Sequence, residues 1–262
     1  MQAWGLENLP FSRSGAEAVF FAGVPQQEAL SRMRFLVLNG RRLGLVLGQS
    51  GSGKSLLVEL FEEECHKENW SVARLNLVGM SVRDFHWQLA VGLRACPRSV
   101  DESLRLERRW HERLHQSRLQ AERTVLLLDD ADQAGADVLT QLVRTAQLPA
   151  SQVGSLTMVL TASSDQTHRL GKRLSDLVDL RIDLEPWDEA DTVGYLQLAL
   201  VEAGAERPVF DEAALVEIHR LSGGVPRQVN RLADLALVVG RDAETIDKAT
   251  VAEVYASLTS RD

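Results

Sequence analysis

The sequence predicts an α/β fold: a parallel sheet with helices on both faces, followed by a small all-helical domain. Three observations lead there. Short, continuously apolar segments such as Thr124 to Leu128 alternate with helical stretches as far as Leu184, the pattern of strands buried on both faces. A glycine-rich loop, Gly48 to Ser55, stands directly between one such segment and an amphipathic stretch. After Pro186 the apolar residues recur only at helical spacing, so the strand-forming part ends there. The expected division is a core over residues 1–186, including an N-terminal linker, and a helical domain over residues 187–262.

Bulk composition sets the limits. A chain of 262 residues with 45% apolar content can bury a sizeable core. Its net charge of -8 excludes wrapping nucleic acid over the whole surface and leaves room only for a local nucleic-acid contact. Met1 to Phe11 has neither a basic nor an apolar leader region, and stretches such as Leu45 to Leu47 fall far short of a membrane span. Cys65 and Cys96 have no neighbour at metal-ligand or redox spacing. A cytoplasmic location is the expectation. Neither a repeat nor a low-complexity segment is visible.

Element by element, the chain reads as a helix (Gln26 to Leu38), a strand (Leu43 to Leu47), the glycine loop and a helix (Lys54 to Glu68). A strand (Ser71 to Leu77), a helix (Val82 to Leu93), a long charged helix (Glu102 to Glu122) and the apolar strand Thr124 to Leu128 follow. A helix (Ala136 to Ala146) and strands over Leu156 to Thr161 and Leu180 to Leu184 close this half. The second half reads as helices over Asp188 to Gly204, Asp211 to Leu221, Arg227 to Val239 and Asp247 to Leu258. Asp188, Asp211 and Asp247 are placed to cap first turns, and Gly204 and Gly240 to close helices in the left-handed conformation.

Gly48-Gln49-Ser50-Gly51-Ser52-Gly53-Lys54-Ser55 fills every fixed position of the phosphate-binding pattern G-x-x-x-x-G-K-[ST], in the required strand-to-helix context. Glycines let the backbone fold around an anion, and the helix N-terminus, continuing into Leu56, points N–H groups at it. Lys54 would place its charge between the β- and γ-phosphates, and the Ser55 hydroxyl would ligate Mg²⁺. The second half of such a site is an apolar strand ending in acids, and Leu126-Leu127-Leu128-Asp129-Asp130 supplies it. Asp129 is expected in the Mg²⁺ shell, beside the loop if the two strands are neighbours, with Asp130 polarising the attacking water. Ser163, with Thr161 and Ser164 close behind, is the candidate to bridge that water and the γ-phosphate; a plain turn accounts for the same residues. Pro226 suits a first helical position, and Arg227 would project from that helix start. ATP is preferred to GTP because no [NT]-K-x-D motif follows the sheet.

One motif points elsewhere. His111-Glu112-Arg113-Leu114-His115 satisfies the zinc-protease pattern H-E-x-x-H on an expected helix. Arg105, Arg108, Arg109, Arg113, Arg118 and Arg123 crowd the same stretch, their field opposes a cation, and no third ligand motif follows. The zinc reading is therefore rejected. The arginines are the chain's one basic concentration and its best candidate for nucleic-acid or acidic-partner contact, against the plainer reading of a solvated face.

Taken together, Trp4-Gly5-Leu6, Pro10-Phe11, the phosphate loop, Leu126 to Asp132, Leu184-Glu185-Pro186-Trp187, Tyr195, Ala203-Gly204, Gly224-Val225-Pro226-Arg227 and Asn230 resemble the AAA+ ATPases similar to the A component of the general secretion pathway. That ExeA-like group in turn resembles transposition ATPases of the TniB and MuB type. The resemblance spans almost the entire chain. It implies a P-loop αβα core with a helical lid, ATP with Mg²⁺ as ligand, and homo-oligomeric rings or filaments. It also implies ATP hydrolysis that remodels or assembles an unidentified partner, with Arg227 as the lid arginine that touches the γ-phosphate. An ATP-dependent DNA-binding regulator and a low-turnover nucleotide sensor are the competing functions. Three features depart from the family: Asp130 replaces the usual glutamate, Leu177 stands where a trans-acting arginine is common, leaving Arg173 or Arg181 as substitutes, and relatives continue into a membrane span and a periplasmic wall-binding part. The expectation is an ATPase module standing alone.

Overall fold

The structure, a computed structural model, describes residues 4–6, 10, 11, 21 and 23–259; the rest of the expected N-terminal linker lies outside the described residues. By its internal contacts the chain forms two compact units. One comprises Glu28–Ser50 and Lys54–Leu184, and the other Met1–Gln27, Gly51–Gly53 and Glu185–Asp262.

The chain runs through α1 (Val24–Leu38), β1 (Leu43–Gly48), α2 (Lys54–Lys67), β2 (Ser71–Asn76), α3 (Val82–Gly92), α4 (Ser103–Leu119), β3 (Arg123–Asp129) and α5 (Ala136–Ala146). The short α6 (Ala150–Val153), β4 (Ser155–Ser163), α7 (Gly171–Ser175) and β5 (Leu180–Asp183) complete the first unit. The sheet is five-stranded, ordered β2-β3-β4-β1-β5, and every pairing is parallel. Because successive side chains point to opposite faces, each of β1 to β4 feeds two cores. Leu45, Leu47, Leu126, Leu128 and Leu160 pack with Phe85, Leu89, Trp110 and Leu142 from α3, α4 and α5. Val46, Val125, Leu127 and Val159 pack with Met33 and Leu36 of α1 and Leu57, Val58 and Phe61 of α2 on the other face. Val125 to Leu128 are fully buried, which explains why the strand reads as an unbroken apolar run.

The order settles a condition that the sequence left open. β1 and β3 are not neighbours, since β4 pairs with both. A second strand therefore ends between the phosphate loop and the acids. The turns at 131–133 and 164–170, and the short helices α6 and α7, carry too few apolar repeats to show in the sequence.

The second unit holds α8 (Glu189–Glu202), α9 (Glu212–Ser222), α10 (Pro226–Val239) and α11 (Lys248–Thr259). Asp188 and Asp211 accept hydrogen bonds from the backbone N–H of Asp191 (2.7 Å) and Ala214 (2.6 Å), and Asp247 accepts from Thr250 (2.9 Å), so all three expected caps form. Gly204 has φ +93, but Gly240 has φ -81 and is not left-handed. Glycine suits position 240 for another reason: a Cβ there would lie 2.7 Å from the Ile246 side chain. Gly224 is demanded twice, by φ +69 and by a backbone approach that would put a Cβ 2.0 Å from the Trp187 carbonyl oxygen.

The N-terminal segment departs from its expected place in the core. Trp4, Leu6 and Phe11 are buried among Trp187, Tyr195, Leu200 and Leu237, and the Trp4 indole Nε1 donates to the Glu244 carbonyl (3.1 Å). Three apolar side chains find their burial with the helices, so this segment groups with the second unit. Among the described residues no helix is long and apolar enough to cross a membrane.

Candidate functional site

β1 ends at Gly48 with all six of its residues buried, and the chain then turns with φ +86 at Gly51 and φ +94 at Gly53. Only glycine takes such angles without steric cost. Lys54 opens α2 and is 8% exposed. Burying an ammonium is costly unless it is hydrogen-bonded, and Lys54 Nζ donates to the carbonyls of Gly48 (2.9 Å) and Gln49 (3.0 Å). The Ser52 hydroxyl is buried and has no hydrogen-bond partner among the described residues. Gln49, Ser50 and Ser55 are exposed and Leu56 is half-buried. An orphaned hydroxyl, two left-handed glycines and a lysine at the start of a 14-residue helix fit a polyphosphate, whose oxygens accept hydrogen bonds and bind to helix N-termini.

The acids are set by three strand ends. Asp129, the last residue of β3, is 2% exposed, and one of its oxygens, Oδ1, accepts from the hydroxyl of Thr161. The same hydroxyl accepts from the Asp130 N–H (3.0 Å). Asp130 leaves the strand with φ 55 and ψ 47, and its Oδ2 accepts from Asn76 Nδ2 (2.9 Å). Asn76 lies opposite Asp129 in the β2–β3 register, and its own side-chain oxygen accepts from the Val78 N–H (3.0 Å). The exposed Ser55 hydroxyl and the buried Asp129 carboxylate, of which Oδ1 takes the Thr161 hydrogen bond, are oxygen ligands of the kind that suits Mg²⁺, a hard cation.

Ser163 is the last residue of β4 rather than part of the following run. Its hydroxyl donates to Asp165 Oδ1 (2.6 Å) and its N–H to Asp132 Oδ1 (3.3 Å). The Ser163 bond, joined by Gln166 and the field of Lys54, holds the Asp165 carboxyl below the usual carboxylate range. Asn76 and Asp132 escaped the sequence reading. For Asn76 the available signal was a polar residue closing a parallel strand, as Asp129 closes β3; Asp132 lies in the following turn, where spacing gives no such signal. Pro226 is the first residue of α10. Within the helical unit, the Arg227 N–H donates to the Gly51 carbonyl (3.2 Å), and a Cβ at Gly51 would meet that of Arg227 at 2.7 Å. Leu177 packs against the sheet core, while Arg181 is paired with Asp183 (2.7 Å).

Four of the arginines of the charged helix α4 face carboxylates. Arg109 bonds Asp101 (2.6 Å), Arg113 bonds Glu122 (3.0 Å), and Arg105 and Arg108 face Asp101 and Glu112 at 3.5 Å. His111 lies with its ring centroid 4.0 Å from that of Trp110, and burial pushes its basicity down. Trp110 Nε1 donates to His86 Nδ1 (3.1 Å), which places the His86 proton on Nε2. Among the described residues no group of three or more His, Cys, Asp or Glu side chains is placed to hold a metal ion.

A parallel sheet with β4 between the phosphate loop's strand and the acid strand defines a P-loop ATPase fold of the AAA+ type. Residues 37–170, just over half of the chain, match the AAA domain family, and the chain belongs to that family. It is 26% identical over 247 residues to the general secretion pathway protein A of Aeromonas hydrophila, across 90% of this chain and 44% of that protein. The chain thus spans less than half the length of this curated relative. In fold it is similar to Cdc6p of Pyrobaculum aerophilum (TM-score 0.68, 18% identity, 90% of this chain and 67% of that one). Drosophila ORC bound to DNA is a second structural neighbour (TM-score 0.71, 17% identity, 96% of this chain and 65% of that one). At these identities the likeness is one of fold.

Proposed function

We propose that the chain binds ATP with Mg²⁺ at Gly48 to Leu56 and hydrolyses it slowly, as a homo-oligomeric switch that remodels or assembles a protein partner. The observation that carries the reading is Lys54, an ammonium held at the mouth of a glycine loop by that loop's own carbonyls. In this reading the loop N–H groups and Lys54 bind the phosphates. Ser55 and Asp129 hold the metal, which when bound offsets phosphate charge. Asp130 draws the proton of the attacking water. Its carboxylate is one C–C bond shorter in reach than a glutamate's, about 1.5 Å, and a misplacement of ~1 Å can cost on the order of a hundredfold, hence the slow rate. Ser163 is assigned the bridge from water to γ-phosphate and Arg227 the contact to the γ-phosphate itself; Arg227→Ala then weakens the response to ATP more than to ADP. A cytoplasmic site of action belongs to the same proposal.

Titration with a fluorescent ATP analogue tests it: the parent binds and Lys54→Ala does not, with unchanged circular dichroism. Equal binding by both ends the assignment. The relative from the general secretion pathway supports a secretion-type partner. A structural neighbour solved with DNA supports the second reading, an ATP-dependent DNA-binding regulator, which requires DNA affinity that appears with ATP and falls steeply with salt. Light scattering that rises with ATP and not with ADP is expected of the switch.

A further inference from the structure

Thr161 is fully buried on β4, the strand that separates β3 from β1. The strand registers pair Val46 with Thr161 and Leu128 with Leu160, so its side chain emerges level with the end of β3. A threonine hydroxyl has one proton to give and lone pairs to receive. The Asp130 N–H takes a lone pair at 3.0 Å, and the proton goes to Asp129 Oδ1. No other hydrogen bond to the Asp129 carboxylate occurs among the described residues. Thr161 was a candidate phosphate contact on sequence grounds, but its hydroxyl is occupied by the acids.

We propose that Thr161 is the positioning residue that sets both acids of the site with one hydroxyl, an inference that rests on the ATPase reading above. By committing Oδ1 of Asp129 to the protein, it leaves Oδ2 as the oxygen for the metal shell and fixes the plane of the carboxylate. By receiving the Asp130 N–H, it holds that residue in a left-handed conformation (φ 55) that a non-glycine residue adopts only when its surroundings enforce it. A group that orients a metal-binding carboxylate typically changes metal affinity or activity by about 10- to 100-fold when lost. The effect should therefore be confined to steps that need the metal, whereas binding of bare nucleotide to the glycine loop should not depend on Thr161.

Thr161→Val keeps the shape and removes the hydroxyl; Thr161→Ser keeps the hydroxyl. Affinity for a fluorescent ATP analogue is measured in EDTA and in Mg²⁺, alongside phosphate release. The valine variant is expected to match the parent in EDTA within about twofold, to lose most of the Mg²⁺-dependent gain in affinity, and to release phosphate about tenfold or more slowly. The serine variant is expected to restore both. A valine variant with the parent's Mg²⁺ gain and rate overturns the proposal, as does a serine variant as impaired as valine, which would make the position one of packing. Should the valine variant fail to fold, Thr161→Cys, with its weak donor, carries the same comparison. A parent that binds ATP with no Mg²⁺ gain and no turnover refutes the ATPase reading and this inference with it, whereas a responsive parent with an unaffected valine variant refutes Thr161 alone.

Discussion

The ends of β3 and β4 and the outer face of α4 both concentrate charged residues, yet they differ in what the chain leaves uncommitted. At the strand ends a buried hydroxyl and an amide hold two carboxylates in place, and the orphaned Ser52 hydroxyl belongs to the adjoining loop sequence. On α4, arginines meet carboxylates and His111 lies against an indole. A binding site keeps polar capacity in reserve, while a structural surface satisfies it locally. The H-E-x-x-H motif and the phosphate loop are equally complete as patterns, and their surroundings differ: His111 of the first packs on Trp110, whereas the second has glycines at positive φ and a lysine at a helix start.

The largest expected effect lies at the acids. Asp130→Asn should bind ATP and release phosphate at about one hundredth of the parent rate or less, while Asp130→Glu should keep or raise it. Parent-like turnover by the asparagine variant, at saturating Mg²⁺ and nucleotide, would move the base elsewhere. On α4 the expected effects are structural. Trp110→Phe removes the donor to His86 and leaves a small cavity, so urea unfolding should show a loss of about 2 kcal/mol with phosphate release intact; a collapse of activity in a folded variant would blur the contrast.

Asp101 sharpens it through pH. Its carboxyl is held below the usual carboxylate range by the Arg98 N–H and then by the Arg109 guanidinium. The charged form is thus favoured in the folded chain, and the stabilisation is full above the ordinary value, near about 4. It is lost as the pH falls through the lowered folded value. Thermal melts should show Asp101→Asn less stable than the parent at neutral pH, with the two curves converging in acid; parallel curves would deny the carboxylate that role. The smallest effect is reserved for His111→Ala with His115→Ala, which should change phosphate release by less than about twofold, consistent with residues outside catalysis, and should not alter metal content measured by elemental analysis.

Much of this was legible beforehand because the physics is local. Val125 to Leu128 read as a doubly buried strand, Asp188 and Asp211 read as caps, and each formed as expected. What escaped depends on which strands meet. The interposition of β4 is a matter of topology, and with it came Thr161's position between the acids and the pairing of Asn76 with Asp130, neither of which sequence spacing encodes. Gly240 was misread because a glycine after a helix suggests a left-handed cap, whereas here the close approach of Ile246 requires the missing side chain. The N-terminal segment was assigned by proximity in sequence, and burial of Trp4 and Phe11 decided otherwise.

The central claim, that the chemistry resides at the phosphate loop and the strand-end acids and not on α4, is tested most directly by one assay. Phosphate release from Mg²⁺ and ATP is followed side by side for the parent, Lys54→Ala and the His111→Ala, His115→Ala double variant. The account predicts slow but equal turnover for the parent and the double variant, and none above background for Lys54→Ala. Turnover that survives Lys54→Ala and vanishes with the two histidines would contradict it.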